Sequence, residues 1–354
     1  MHQFLSNLLL LFLALSWVAL TPDRTSAHEA AQHQVNEEMR DAAVEFLSTL
    51  PDEQRQAATF AFDGPQRTDW QFVPMERVGL PLRDMTLEQR RAARKLMRSV
   101  LSDQGYLKAT TIMSLERVLR LIEADREDVE NIRNPEKYWF AVYGEPDADR
   151  PWGWRVEGHH LSLNLTSDGQ LVVSTAPLFL GANPHEVRVG PRLGLRALGG
   201  EEDRFRALMG LFSEEQRRQA SIASEAPRDV ATVPGAPIDL GKPAGLPYSQ
   251  MTPAQQSGLT EVVTGVLQNL RPELAAQELA EIERAGYSEI YFAWAGGLGP
   301  DENHYFRVHG PTFVFEYDNA QGNHSHLVWH STKNDFGLDK LQQHYEQHEH
   351  AHAE

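Results

Sequence analysis

The chain has 354 residues, a formal net charge of −17 and no cysteine. The acidic balance argues against a nucleic-acid partner or an anionic membrane surface, because no basic excess is available to neutralise phosphates. Without cysteine, disulfides and lipoprotein attachment are excluded, while a hydrophobic content of 41% is enough for one large core or two ordinary ones.

Phe4 to Leu20 form an apolar run that ends near Thr21-Pro22, followed by Thr25-Ser26-Ala27. This pattern predicts a signal peptide over residues 1–27, cleaved after Ala27, and hence a periplasmic or secreted protein with no stable membrane span. The three residues ahead of the run carry no Lys or Arg, so an uncleaved anchor is the alternative. A polar segment, 28–40, comes next.

Four blocks then recur in the same order. Asp52-Glu-Gln-Arg55 returns as Glu214-Glu-Gln-Arg217, and Gly79-Leu-Pro-Leu-Arg-Asp-Met-Thr86 returns as Gly245-Leu-Pro-Tyr-Ser-Gln-Met-Thr252. Tyr138-Trp-Phe-Ala-Val-Tyr-Gly144 returns as Ile290-Tyr-Phe-Ala-Trp-Ala-Gly296, and Arg155-Val-Glu-Gly158 as Arg307-Val-His-Gly310. The spacing predicts a tandem, pseudo-symmetric duplication, with one copy over 41–200, a second over 201–344, and a His-rich tail over 345–354.

Each copy is expected to open with a helix, over 41–60 and 203–223. A Pro/Gly-rich connection follows, 226–244 in the second copy. A helix capped by Thr86 or Thr252 and a further helix come next, and then a run of short strands. Helices followed by strands predict an α+β fold with antiparallel sheet, either shared by both copies or built as two sheets face to face.

The densest chemistry lies late in the second copy. Arg307 to Tyr317 reads as one strand, 318–322 as a turn and Asn323 to His330 as the return strand. Alternation places His324, His326 and His330 on one face, with Thr312, Val314 and Glu316 together on the outgoing strand. A turn centred near Ala320 sets Glu316 opposite His324, close enough to share an ion. Glu316, His324 and His326 are therefore the expected metal ligands, with His160 or His330 as a fourth. The bland alternative is a solvated polar sheet face. His160 occupies the place of Thr312 in the first copy and Asn164 that of Glu316. His160 either completes the site or is hydrogen-bonded inside the sheet, and a regular strand turns His159 to the opposite face.

Trp152-Gly-Trp154, Gly158-His-His-Leu161, Phe179-Leu-Gly-Ala-Asn-Pro184, Asn323-His-Ser-His326 and Asn334-Asp-Phe-Gly337, in this order, resemble a bacterial family catalogued as domain of unknown function 3500. The resemblance covers nearly the whole mature chain and implies a largely exported family. It brings no reaction with it.

Other residues carry weaker signals. Arg155 and Arg307 are equivalent and could hold a substrate anion, or serve as duplicated structural ion pairs. Trp139, Trp152, Trp154, Trp294 and Trp329 could line a ligand wall, with Trp152 and Trp154 the exposed part, although strand aromatics are commonly core. Asp335 could orient a ligand histidine, or simply end the strand. His344, His348, His350 and His352 read as a solvated tail. Gly-rich phosphate loops and covalent-hydrolase motifs are missing.

These features predict an exported metal-dependent enzyme acting on a small molecule or polymer, with Glu316 and His160 as catalytic groups and Arg155, Arg307 and Trp154 touching substrate. Zinc with hydrolysis is favoured, and iron, copper or manganese are the other ions considered. A non-haem iron or copper oxidoreductase is one alternative. A periplasmic binding protein without turnover is another.

Overall fold

A computed structural model describes residues 24–146, 149–236, 238–299 and 301–342. Most of the expected signal peptide and the His-rich tail lie outside the described residues. The first half begins with α1 (Arg24–Ser48) and α2 (Asp52–Ala58), then β1 (Thr59–Phe60) and β2 (Leu80–Pro81). The helices α3 (Leu87–Arg98), α4 (Asp103–Ile122) and α5 (Val129–Ile132) follow. Five strands complete this half: β3 (Tyr138–Tyr143), β4 (Trp152–Gly158), β5 (Leu161–Ser167), β6 (Val172–Ser174) and β7 (Leu178–Ala182). The second half runs α6 (Gly199–Leu211), α7 (Glu214–Ala220), β8 (Ser221–Ala223), β9 (Leu246–Pro247), α8 (Pro253–Leu267) and α9 (Pro272–Ala285). It ends with β10 (Tyr291–Gly296), β11 (His304–His309), β12 (Phe313–Asn319) and β13 (Ser325–Ser331).

Local chemistry explains the helix boundaries. Thr86 caps α3 and Thr252 caps α8, each in a reciprocal capping box with Gln89 or Gln255, and Pro253 opens α8 with the ring geometry a first turn accepts. The single helices expected over 41–60 and 203–223 are each two. Pro51 stands in extended conformation at the start of α2, and Ser213 caps α7 with Gln216, so each pair breaks where a new N-terminus is specified. Helix α1 also begins well before residue 41, because Val35, Met39, Ala42, Ala43 and Phe46 give it a buried stripe. Gly79 and Gly245, which open matched blocks, both have positive φ, and a β-carbon on either would press into the carbonyl oxygen of Phe140 or Phe292 at 2.6 or 2.1 Å.

The fold class is α+β, with one mixed, mostly antiparallel sheet of thirteen strands rather than two facing sheets. Its order is β1-β3-β4-β5-β7-β13-β12-β11-β10-β8, so the halves meet at a central seam of β7 against β13. There Leu180 stands opposite Leu327 and Gly181 opposite His326. Alternation sends Phe140, Trp154, Leu163, Leu180, Leu327 and Trp329 to the face packed by helices, where they are buried. The other face carries Arg155, Glu157, Asn164, Glu316 and Arg307. Two long segments cover it, through Trp70 and Phe72 on one side and Val230 on the other, packing on Phe179 and Val328. That cover explains how a face of polar residues becomes buried: the segments' backbone groups meet its charges.

Candidate metal centre

The site lies at one end of the seam. His159 and His160 form the corner between β4 and β5, where His160 takes a left-handed φ of 63°. The strand is therefore not regular at this point, and the two rings stack at 3.8 Å instead of facing apart. The His160 N–H donates to the Phe72 carbonyl at 2.9 Å, and its own carbonyl accepts from the Gly181 N–H at 2.7 Å. These bonds fix the corner over β7.

From the second half, His324 stands just ahead of β13 and His326 lies within it. The Nε2 of His324 is 2.7 Å from Nε2 of His160 and 2.9 Å from Nε2 of His326. On its other side, Nδ1 of His326 lies 3.0 Å from the Asp229 carboxylate and 3.2 Å from that of Asp318. Phe72 and Phe179 flank the His326 ring at 5.2 and 5.5 Å and make one wall apolar. His160 and His326 are buried, while His324 is half-buried and gives the cluster an opening.

Electrostatics keep two of these imidazoles ready to donate lone pairs. Burial, with help from His159 and His324, holds His160 well below the usual range, and burial together with His326 brings His324 down to about 3. His326 differs: burial opposes its charge, yet Asp229 and Asp318 push it up to about 9. Burial raises Asp318 in turn. Among the described residues, two groups of side chains could hold a metal ion: His160 with His324 and His326, and Asp229 with Asp318 and His326.

Several expected positions require correction. Glu316 faces Val328, not His324, because the hairpin pairs Asp318 with His326 and turns about Gly322 instead of Ala320. A slip of an even number of residues keeps every side chain on its face but changes its partner. The Glu316 carboxylate is saturated instead: it accepts from the Ala231 N–H at 2.8 Å, the Thr232 N–H at 2.9 Å, the Tyr305 hydroxyl at 2.6 Å and the Thr232 hydroxyl. It is a fastening for the covering segment. His330 also stands apart from the cluster. Its Nδ1 is 2.6 Å from Asp335, and its ring meets the edge of Trp70 at 6.1 Å. Asp335 does orient a histidine, and it accepts from the Ser331 N–H at 2.8 Å as well.

The expected substrate contacts are interior. Arg155 is buried between the Glu157 carboxylate at 3.3 Å and the Arg67 carbonyl at 3.3 Å. Arg307 is buried beside Glu316 across the strand pair. Trp152 and Trp154, read as exposed, are 0% and 1% exposed in the helix-packed core. Their alternation with Gly153 and Arg155 is strand periodicity, which a pair of tryptophans around a glycine concealed. Sequence reasoning missed Asp229, which lies in a connection with no periodicity to mark it, and Asp318, which was assigned to the turn.

Fold and site together describe an α+β protein whose sheet carries a candidate metal centre at the junction of its halves. The chain belongs to a family described as protein of unknown function (DUF3500), whose model matches residues 32–338. No curated protein and no solved structure matches it.

Proposed function

We propose that this is an exported metal-dependent hydrolase that holds one divalent transition-metal ion on His160, His324 and His326. The observation that carries the reading is the convergence of three Nε2 atoms, with 2.7 and 2.9 Å between neighbours. Imidazole nitrogens this close repel through their lone pairs unless an ion or protons sit among them. Three histidines leave a coordination position for water or substrate, and zinc so bound lowers the pKa of its water towards neutrality. The carboxylates behind His326 fix its orientation and raise its basicity, as carboxylates behind metal-bound imidazoles do. The half-buried His324 gives a route for substrate. Export is supported by the apolar run from Phe4 to Leu20.

The recurring blocks, and strand orders that read alike from each sheet edge to the seam, support descent by tandem duplication. An experimental structure whose halves fail to superpose strand for strand would end that idea.

The test is elemental mass spectrometry on the purified protein with tail histidines His344, His348, His350 and His352 replaced by alanine. Bound metal in the parent, lost in His160→Ala and in His324→Ala, is the expected result. Equal trace metal in all three sinks the proposal. Metal without turnover of ester, amide or phosphoester substrates selects the binding-protein alternative.

A further inference from the structure

We propose that Asp229, Asp318 and Nδ1 of His326 form a second cation seat, so that the His326 ring bridges two divalent transition-metal ions. The inference rests on the three-histidine reading and extends it. The two donor sets meet at one residue but use opposite ring nitrogens. Nε2 faces His324 at 2.9 Å, while Nδ1 faces Asp229 at 3.0 Å and Asp318 at 3.2 Å.

Orienting a metal-bound imidazole takes one carboxylate, because the ring has one N–H left to donate. Here two compete for it. The Asp318 side chain is 0% exposed, its Oδ2 faces His326, and its Oδ1 lacks a hydrogen-bond partner. Among the described residues, no lysine or arginine forms an ion pair with either carboxylate, each of which pairs only with His326. Beyond the shared ring N–H the two carboxylates have only backbone donors, the Val230 N–H at 2.8 Å on Asp229 and that of Ala320 on Asp318, and burying this pair is costly without further positive charge. A divalent cation supplies that charge and occupies the unpartnered lone pairs. Asp229, at 36% side-chain exposure, provides the way in. Carboxylate and imidazole donors suit zinc, copper or manganese. When the second ion takes Nδ1, the ring gives up its N–H proton to water, and each ion keeps one ring nitrogen.

The test uses the full chain with the four tail histidines replaced. The protein is stripped with a chelator, reloaded with Zn²⁺, desalted and measured for zinc per chain. Two ions are expected in the parent and one in Asp229→Asn and in Asp318→Asn, with circular dichroism confirming that both variants fold. Loaded with Cu²⁺, the parent should give an electron paramagnetic resonance signal well below its copper content, because cupric ions bridged by one ring couple. Asp229→Asn should recover the full signal of one ion. A single zinc in the parent overturns the second seat and leaves the three-histidine reading standing, whereas no zinc overturns both. Two ions retained in both variants also overturn the bridge, since the second ion then sits elsewhere.

Discussion

The His160 imidazole lies against the α-carbon of Gly181: a β-carbon there would stand 2.8 Å from two ring atoms. No side chain larger than hydrogen fits without moving the ring, and the ring is held on its other face by His159. Gly181→Ala should therefore weaken metal binding by about 10- to 100-fold, the usual effect of disturbing a ligand's support. Competition with a chelator of known affinity measures this. An unchanged affinity would show that the ring is not a ligand in this position.

Glu316→Ala separates the present site from the one the hairpin pattern predicts. The variant should keep its metal and lose stability by about 3 kcal/mol or more, because two backbone N–H groups and two hydroxyls lose a charged acceptor. Urea denaturation and metal content, read on the same sample, check both halves of the prediction. Faster proteolytic cleavage within 224–245 should accompany it.

Glu278 gives the protein a stability that falls towards alkaline pH. Burial, with Glu281 adding repulsion, pushes its carboxyl up from 4.5 to about 7, against the opposing hydrogen bond from Thr175. The folded state binds this proton more tightly than the unfolded chain does. The favourable contribution is complete below pH 4.5 and disappears as pH rises through 7. For a partly exposed group the total is on the order of 1–3 kcal/mol. Denaturant midpoints of Glu278→Gln should vary less between pH 5 and 8 than those of the parent (roughly the interval between the two pKa values).

Trp154→Ala should cost about 3–5 kcal/mol, as truncation of a core aromatic does. The loss should appear in chemical denaturation of both apo and metal-loaded protein. A variant that folds normally but loses affinity for a ligand would restore this tryptophan to a binding wall.

The parts of the fold that local chemistry dictates were readable from sequence. Thr86 with Gln89 and Thr252 with Gln255 specify helix starts, and alternation places His324, His326, Glu316 and His330 on one face of the ribbon. What alternation leaves open is where the ribbon turns. Asp318 to Gly322 offers several turn-forming residues, and a displacement from Ala320 to Gly322 exchanges Glu316 for Asp318 as the acid beside the histidines. His160 was legible as a candidate through its match to Thr312, but its left-handed φ and the stacking of His159 on it arise from the corner it occupies. Asp229 reaches the site only because its segment folds across the sheet, and no short-range pattern encodes that.

The seam between β7 and β13 divides the proposed ligand set between both halves of the chain: one donor ring comes from the first, two from the second. Neither half, produced separately, owns a complete ligand set. Tight metal retention would thus be a direct gauge of whether the halves are docked, and fragments mixed in solution should regain it only as they reassemble.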